Sequence, residues 1–124
     1  ILHLGYSWIV LALLLKSMSD FGLVPAAVWQ HALGTGAIAT MILGVMTRVA
    51  LGHTGRPLKL PGFAILIYIA ISLAAIFRLL TGLSVLDYQI GLMISGATWT
   101  LAFVLFVLIY WPVLSQPRID GRPG

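Results

Sequence analysis

Four long, nearly uncharged runs of apolar residues dominate the chain and constrain its fold more than any other feature. They cover residues 1–17, 25–52, 62–80 and 88–111, and short polar turns separate them. A membrane-spanning helix needs about 20 predominantly apolar residues, and its backbone hydrogen bonds are satisfied within the segment itself. Only 8% of the residues are charged, whereas soluble domains carry about 25%. We therefore predict an all-α, polytopic transmembrane helix bundle with four spans and a lipid bilayer as its solvent.

The first span begins inside its apolar run, since Ile1 has no methionine or basic segment before it. The fifteen residues from Ile1 to Leu15 make a helix of only about 22 Å, shorter than a hydrocarbon core of about 30 Å. We expect the chain to be a fragment of a larger membrane protein, with the remaining helices of the full-length protein as its partners. Residues 112–124 are a short tail rich in proline and glycine, so we expect one bundle segment and no separate domain.

Basic residues are unequally divided between the two sides of this predicted bundle. Lys16 and Arg78 lie on one side. The other side carries five basic residues, which are Arg48, Arg56, Lys59, Arg118 and Arg122. By the positive-inside rule, we predict that the turn after the second span and the C-terminus are cytoplasmic. Tyr88 and Tyr110, about 33 Å apart along a helix, are expected to be interfacial anchors on opposite sides.

Composition excludes several classes of site and partner. The chain has no cysteine, so disulfides, thiolate zinc sites and iron–sulfur clusters are excluded within it. The net charge is +4, but the basic residues are scattered and have no aromatic residues interleaved among them. We therefore expect no nucleic-acid partner.

Small residues recur every four positions in two of the spans, a pattern that lets membrane helices approach closely. The residues in this pattern are Gly36, Thr40 and Gly44 in the second span, and Gly91 and Ser95 in the fourth. We predict that both faces serve helix packing. We also interpret the mid-span aromatic residues Tyr68 and Trp99 as packing residues.

The three histidines, His3, His31 and His53, are the candidate metal ligands. His31 lies about 9 Å inside the second span, where an imidazole needs a partner, and neutral imidazole is a common ligand of haem iron and copper. Arg78 is expected at a similar depth, where its guanidinium suits a haem propionate. The alternatives for His31 are a hydrogen bond to a neighbouring helix or an imidazole that snorkels to the interface. The alternative for Arg78 is a snorkelling side chain paired with Asp87. The three histidines lie at three different depths, so no pair makes an obvious bis-histidine site.

A second candidate site is the stretch "TRVALGHTGRPL" at the end of the second span. Its polar side chains suit an anion or a carboxylate, and they belong to Thr47, Arg48, His53, Thr54 and Arg56. Glycine spacing of the nucleotide-binding type is missing, so nucleotide binding is not indicated. The positive-inside distribution is the competing explanation for the arginines.

The segment "HALGTGAIATMILGVMTRVALGHTGRPL" resembles the signature region of the NnrS family, bacterial membrane proteins associated with nitric oxide stress. The tail "PRIDGRPG" resembles the C-terminal end of that family, and "LHLGYSWIVLALLL" resembles a preceding span. The resemblance covers essentially the whole chain. It implies that the chain corresponds to the C-terminal third of a family member.

The resemblance implies a multi-pass protein of the bacterial inner membrane that contains haem and copper. It further implies a role in nitric oxide binding, response or tolerance, during nitrosative stress or denitrification, with nitric oxide as a small ligand. Under this reading His31 and Arg78 are expected to bind the haem, while His31, His53 and His3 are the candidate metal ligands. The alternative is a transporter or a structural membrane subunit without a metal cofactor, in which His31 and Arg78 line a path. No residue is identified as catalytic.

Overall fold

The computed structural model describes residues 2–119 and 121, which form a bundle of four long helices. The helices are α1 (Leu2–Asp20), α2 (Ala26–His53), α3 (Ile65–Gly82, entered through a short 3-10 turn at Gly62–Ala64) and α4 (Tyr88–Ser115). All four are long and apolar enough to cross a membrane, and the described residues contain no strand. The predicted all-α, four-span fold is confirmed.

All four helices extend beyond their predicted C-terminal ends, α1 and α4 by the most. α1 continues to Asp20, whose carboxylate accepts a hydrogen bond of 2.8 Å from Lys16 one turn earlier. α4 continues past Trp111 to Ser115, although Pro112 lies inside it. A proline in the last turn removes one backbone donor. A different group, one of the terminal carbonyls that have no donor within the helix, is satisfied from another element: Arg56 donates to the carbonyl oxygen of Val113 at 3.1 Å.

α2 is not a uniform α-helix. Its middle, Ala32–Ile38, is π-helical, and α-helical segments, Ala26–His31 and Ala39–His53, flank it. A π-helical turn has wider i→i+5 hydrogen bonding and is often found at functional sites. The stretch contains Gly34 and Gly36, and glycine is a weak α-helix former. The hydropathy pattern predicts the span but not this interruption.

α3 and α4 pack through small residues, as the sequence predicts for the fourth span. A Cβ added to Gly91 would overlap the side chain of Thr81 in α3. One turn further, Ser95 donates a hydrogen bond of 2.9 Å to the carbonyl oxygen of Ala74. This bond gives the Ser95 hydroxyl a hydrogen-bond partner, which lipid hydrocarbon cannot provide. The Gly91 and Ser95 face is therefore a packing face.

The small-residue face of α2 is also buried. Gly36, Thr40 and Gly44 are all buried in the structure, and Gly36 lies against the indole ring of Trp8 in α1. Trp8 belongs to a cluster with Ala37 of α2 and Ala75 of α3. The predicted close approach along this face is thus observed, with α1 as its partner.

The aromatic residues of α4 occupy different environments. Tyr88 at its start is 61% exposed, as expected for an interfacial residue. Tyr110 is fully buried and its ring stacks on Phe106 with centroids 4.8 Å apart, so its predicted role as an interfacial anchor is wrong. Trp99 is half-exposed and lies 4.4 Å from the ring centroid of Phe103, on the outer surface.

Candidate functional site

The antiparallel helices place polar residues at two opposite ends of the bundle. We call the end formed by Asp20, Ala26, Gly82 and Tyr88 the His31 end. The end formed by Leu2, His53, Gly62 and Ser115 is called the Arg48 end. Every long helix joins one end to the other, so a residue's distance from its helix terminus gives its depth.

At the His31 end, the start of α2 packs against the finish of α3. A Cβ added to Gly82 would lie 3.2 Å from a methyl carbon of Val28. His31 follows Val28 by one helical turn, and Arg78 precedes Gly82 by one turn. Because the two helices are antiparallel, both side chains are displaced inward from this contact to a similar depth.

His31 and Arg78 lie in the same region of the bundle. Both side chains are half-buried, and they are near enough for the charge of Arg78 to act on the imidazole of His31. The expectation that they share a depth agrees with this geometry. The guanidinium of Arg78 can pair with a carboxylate, and the imidazole of His31 can bind a metal ion. A metal cofactor that carries carboxylates would therefore complement this pair.

The alternative partner for Arg78 is engaged elsewhere. The carboxylate of Asp87 caps α4, accepting hydrogen bonds from the backbone N–H of Gln89 at 3.0 Å and of Ile90 at 3.1 Å. A capping carboxylate satisfies N–H groups that have no partner within the helix. Arg78 and Asp87, both within the described residues, form no ion pair with each other, so the alternative pairing of Arg78 with Asp87 is wrong.

The residues at the His31 end fit part of a haem site. Neither the imidazole of His31 nor the guanidinium of Arg78 makes a hydrogen bond or salt bridge to another described residue, so both side chains are available to a ligand. Among the described residues, no group of three or more His, Asp or Glu side chains forms a cluster that could hold a metal ion. At this end the described chain therefore offers one imidazole that could bind a metal and one guanidinium that could pair a carboxylate.

The other two histidines lie at the Arg48 end. His3 is exposed and lines a cavity together with Thr47 and Arg48. His53 is exposed at the last residue of α2 and does not line that cavity. His31 is therefore separated from both by most of the length of the bundle, and the structure does not bring the three candidate ligands together.

Two of the polar residues in the turn after α2 serve helix ends. The hydroxyl of Thr54 donates to the carbonyl oxygens of Ala50 at 2.7 Å and Leu51 at 3.1 Å. Arg56 donates to the carbonyl oxygen of Val113 and, at 3.1 Å, to Oε1 of Gln116. The final carbonyl groups of a helix have no internal donors. Helix capping therefore accounts for the presence of Thr54 and Arg56 in this turn.

A buried group of hydroxyls between α2, α3 and α4 was not predicted from the sequence. The hydroxyl of Tyr68 lies 2.8 Å from Oγ1 of Thr47 and 3.3 Å from the carbonyl oxygen of Leu43. The hydroxyl of Tyr110 is buried nearby and makes no hydrogen bond with any described residue. Thr47 and Tyr68 are 21 positions apart. No sequence motif joins them, so only the helix packing reveals their contact.

The chain matches a known protein family along nearly its whole length. A family model described as NnrS protein matches residues 1–118, which include all four helices and all three histidines. No curated protein and no solved structure matches the chain. A match over nearly the whole chain goes well beyond a shared pattern of apolar spans. The chain belongs to the NnrS family.

Proposed function

We propose that this chain is part of a haem- and copper-containing integral membrane protein that binds nitric oxide or acts in the response to it. NnrS family membership is consistent with a nitric-oxide-related membrane protein. The observation that carries the cofactor proposal is the neighbouring His31 and Arg78, two half-buried polar side chains inside membrane spans. Intramembrane ionisable groups are costly and generally mark functional sites.

In this proposal the residues of the chain hold and orient the haem. His31 would hold the haem iron through a ring nitrogen, and Arg78 would pair a propionate through its guanidinium fork. The bound haem would supply the binding of nitric oxide. The apolar residues packed around the two helices, including Val28 and Leu79, would limit the access of water.

Copper is proposed at the opposite end, with His53 as the first candidate ligand and His3 as the second. Both imidazoles are exposed near the Arg48 end. Further ligands would come from the remaining helices of the full-length protein. The proposed setting is the bacterial inner membrane, with the C-terminus cytoplasmic.

The test is the visible spectrum and metal content of the intact membrane protein. The wild type should show a haem absorption band, His31→Ala should lose it, and His53→Ala should keep it while copper content falls. His53→Ala is the matched control, because it removes an imidazole at the other end of the same helix. A normal haem content in His31→Ala would place the ligand elsewhere. A colourless, metal-free wild type would favour the transporter or structural alternative.

A further inference from the structure

A cavity with both polar and apolar walls lies at the Arg48 end. Its volume is about 320 Å³, and its polar wall consists of His3, Thr47 and Arg48. Four leucines from α1, α2 and the following loop, Leu2, Leu51, Leu58 and Leu60, form its apolar wall. No carboxylate is among the described residues that line it.

Two hydrogen-bond donors of this cavity have no partner in the described part of the chain. Thr47 is hydrogen-bonded to Tyr68, but the imidazole of His3 and the guanidinium of Arg48 form neither a hydrogen bond nor a salt bridge there. A guanidinium carries five N–H donors, and an imidazole carries at least one. The cavity therefore presents positive charge and donors without a complementary anion.

The depth of Arg48 matches the phosphate region of a bilayer. α2 has 28 residues, so it is about 42 Å long, close to the full bilayer thickness of about 40–45 Å with headgroups. Arg48 lies five positions before His53 at the helix end, which is about 7.5 Å inward. A side chain at this depth reaches the headgroups.

We propose that this cavity binds the phosphate of an anionic phospholipid. Arg48 would contact two phosphate oxygens through its planar fork, and His3 would donate an N–H to a third. The four leucines would contact the glycerol backbone and the first carbons of an acyl chain. The site lies at the opposite end of the bundle from His31, so this proposal is independent of the haem proposal. It shares His3 with the copper proposal, and the two are compatible because one ring nitrogen can donate to phosphate while the other binds metal.

The apolar surroundings favour a lipid over a free anion as the source of the phosphate. A second cavity of about 450 Å³ shares Leu60 with the first and continues along α3 past Ile65, Ile69 and Leu73. An acyl chain that extends from the phosphate site would fit along this apolar surface and cover it. A free phosphate ion has no apolar part that could occupy the second cavity.

The experiment compares lipid association of the intact membrane protein in mixed vesicles of phosphatidylglycerol and phosphatidylcholine, using spin-labelled lipids. Arg48→Gln should reduce the preference for phosphatidylglycerol about fivefold, and Arg48→Lys should reduce it less, because it keeps the charge and loses the fork. Lys59→Gln is the matched control, since it removes a positive charge at the same end outside the cavity. Because Lys59 lies outside the cavity, its loss should change the preference less than Arg48→Gln does.

Two results would overturn the proposal. Equal losses in Arg48→Gln and Lys59→Gln would mean that the lipid responds to general surface charge. Displacement of spin-labelled phosphatidylglycerol by inorganic phosphate would identify a free anion as the ligand. If Arg48→Gln does not fold, Arg48→Lys is compared with the wild type instead. An unchanged lipid preference in Arg48→Lys would then contradict the proposal.

Discussion

The indole ring of Trp8 packs directly on the backbone of Gly36, so closely that a Cβ added there would lie 2.6 Å from Cδ2 and Cε3 of the ring. No side chain larger than hydrogen fits at this position without a shift of α1. The contact lies within the π-helical part of α2. Trp8 and Gly36 thus form one of the close contacts between the first two helices, and Gly5 of α1 against Met41 of α2 forms another.

Replacing Gly36 by leucine should impair folding strongly. The new side chain would collide with Trp8, and overpacking of this kind costs about 1–3 kcal/mol. Gly44→Leu should also impair folding, because Gly44 is buried on the same helix. Ile38→Leu is the control, since Ile38 is 50% exposed. The measurement is the yield of folded protein in membranes, and equal yields for all three variants would mean that this face meets lipid.

Cysteine labelling should place Arg56 and Arg122 on one face of the membrane, and that face should be cytoplasmic. Arg56 is tied to the end of α4 through Val113. Arg122 follows in the tail, outside the described residues, so its side is inferred from the chain direction. Arg56→Cys and Arg122→Cys are tested with an impermeant reagent, and Lys59→Cys reports on the same turn without the loss of the cap. Access from opposite faces would contradict the four-span topology.

The Thr47–Tyr68 hydrogen bond should contribute about 1 kcal/mol to the free energy of unfolding. Thr47→Val, Tyr68→Phe and the double variant form a double-mutant cycle that isolates this contribution. Tyr110→Phe is the matched control, because it removes a buried hydroxyl that makes no hydrogen bond in the structure. Tyr110→Phe should leave the free energy of unfolding nearly unchanged. A cost in Tyr110→Phe as large as in Tyr68→Phe would show that the Tyr110 hydroxyl has a partner.

Arg78→Gln should weaken haem retention in the intact protein without abolishing the haem spectrum. The variant keeps the imidazole of His31, the proposed haem ligand, and removes the charge that would pair a propionate. Arg78→Lys should give an intermediate effect, because lysine keeps the charge but not the bidentate fork. Haem loss during purification and the reduction potential are the measured quantities. Values equal to wild type in both variants would remove Arg78 from the site.

Hydropathy and helix geometry predict the four spans because each apolar run is long enough to determine its own structure in lipid. The shared depth of His31 and Arg78 is also accessible, since it needs only the distance of each residue from a helix end. Which side of α3 faces α2 is a property of packing, however. The sequence therefore leaves the Arg78 pairing open, and Asp87 is a reasonable partner until its capping bonds are seen.

The remaining misses share one physical cause, which is that they depend on contacts between helices distant in sequence. Tyr110 reads as an interfacial aromatic residue by its spacing from Tyr88, but packing against Phe106 buries it. The sequence explains Arg56 by the positive-inside rule, whereas the structure shows that it donates hydrogen bonds to Val113 and Gln116. Such assignments need the positions of neighbouring helices, which hydropathy does not contain.

The π-helical stretch Ala32–Ile38 also sets the angular relation between the two halves of α2. Widened turns of this kind accommodate about one extra residue, which corresponds to about 100° of rotation about the helix axis. Deleting one residue here would therefore rotate the second half of α2 relative to the first. If His31 keeps its position, Arg48 would then point away from the cavity that it lines with His3. Any projection of α2 onto a single helical wheel misassigns the faces of one half.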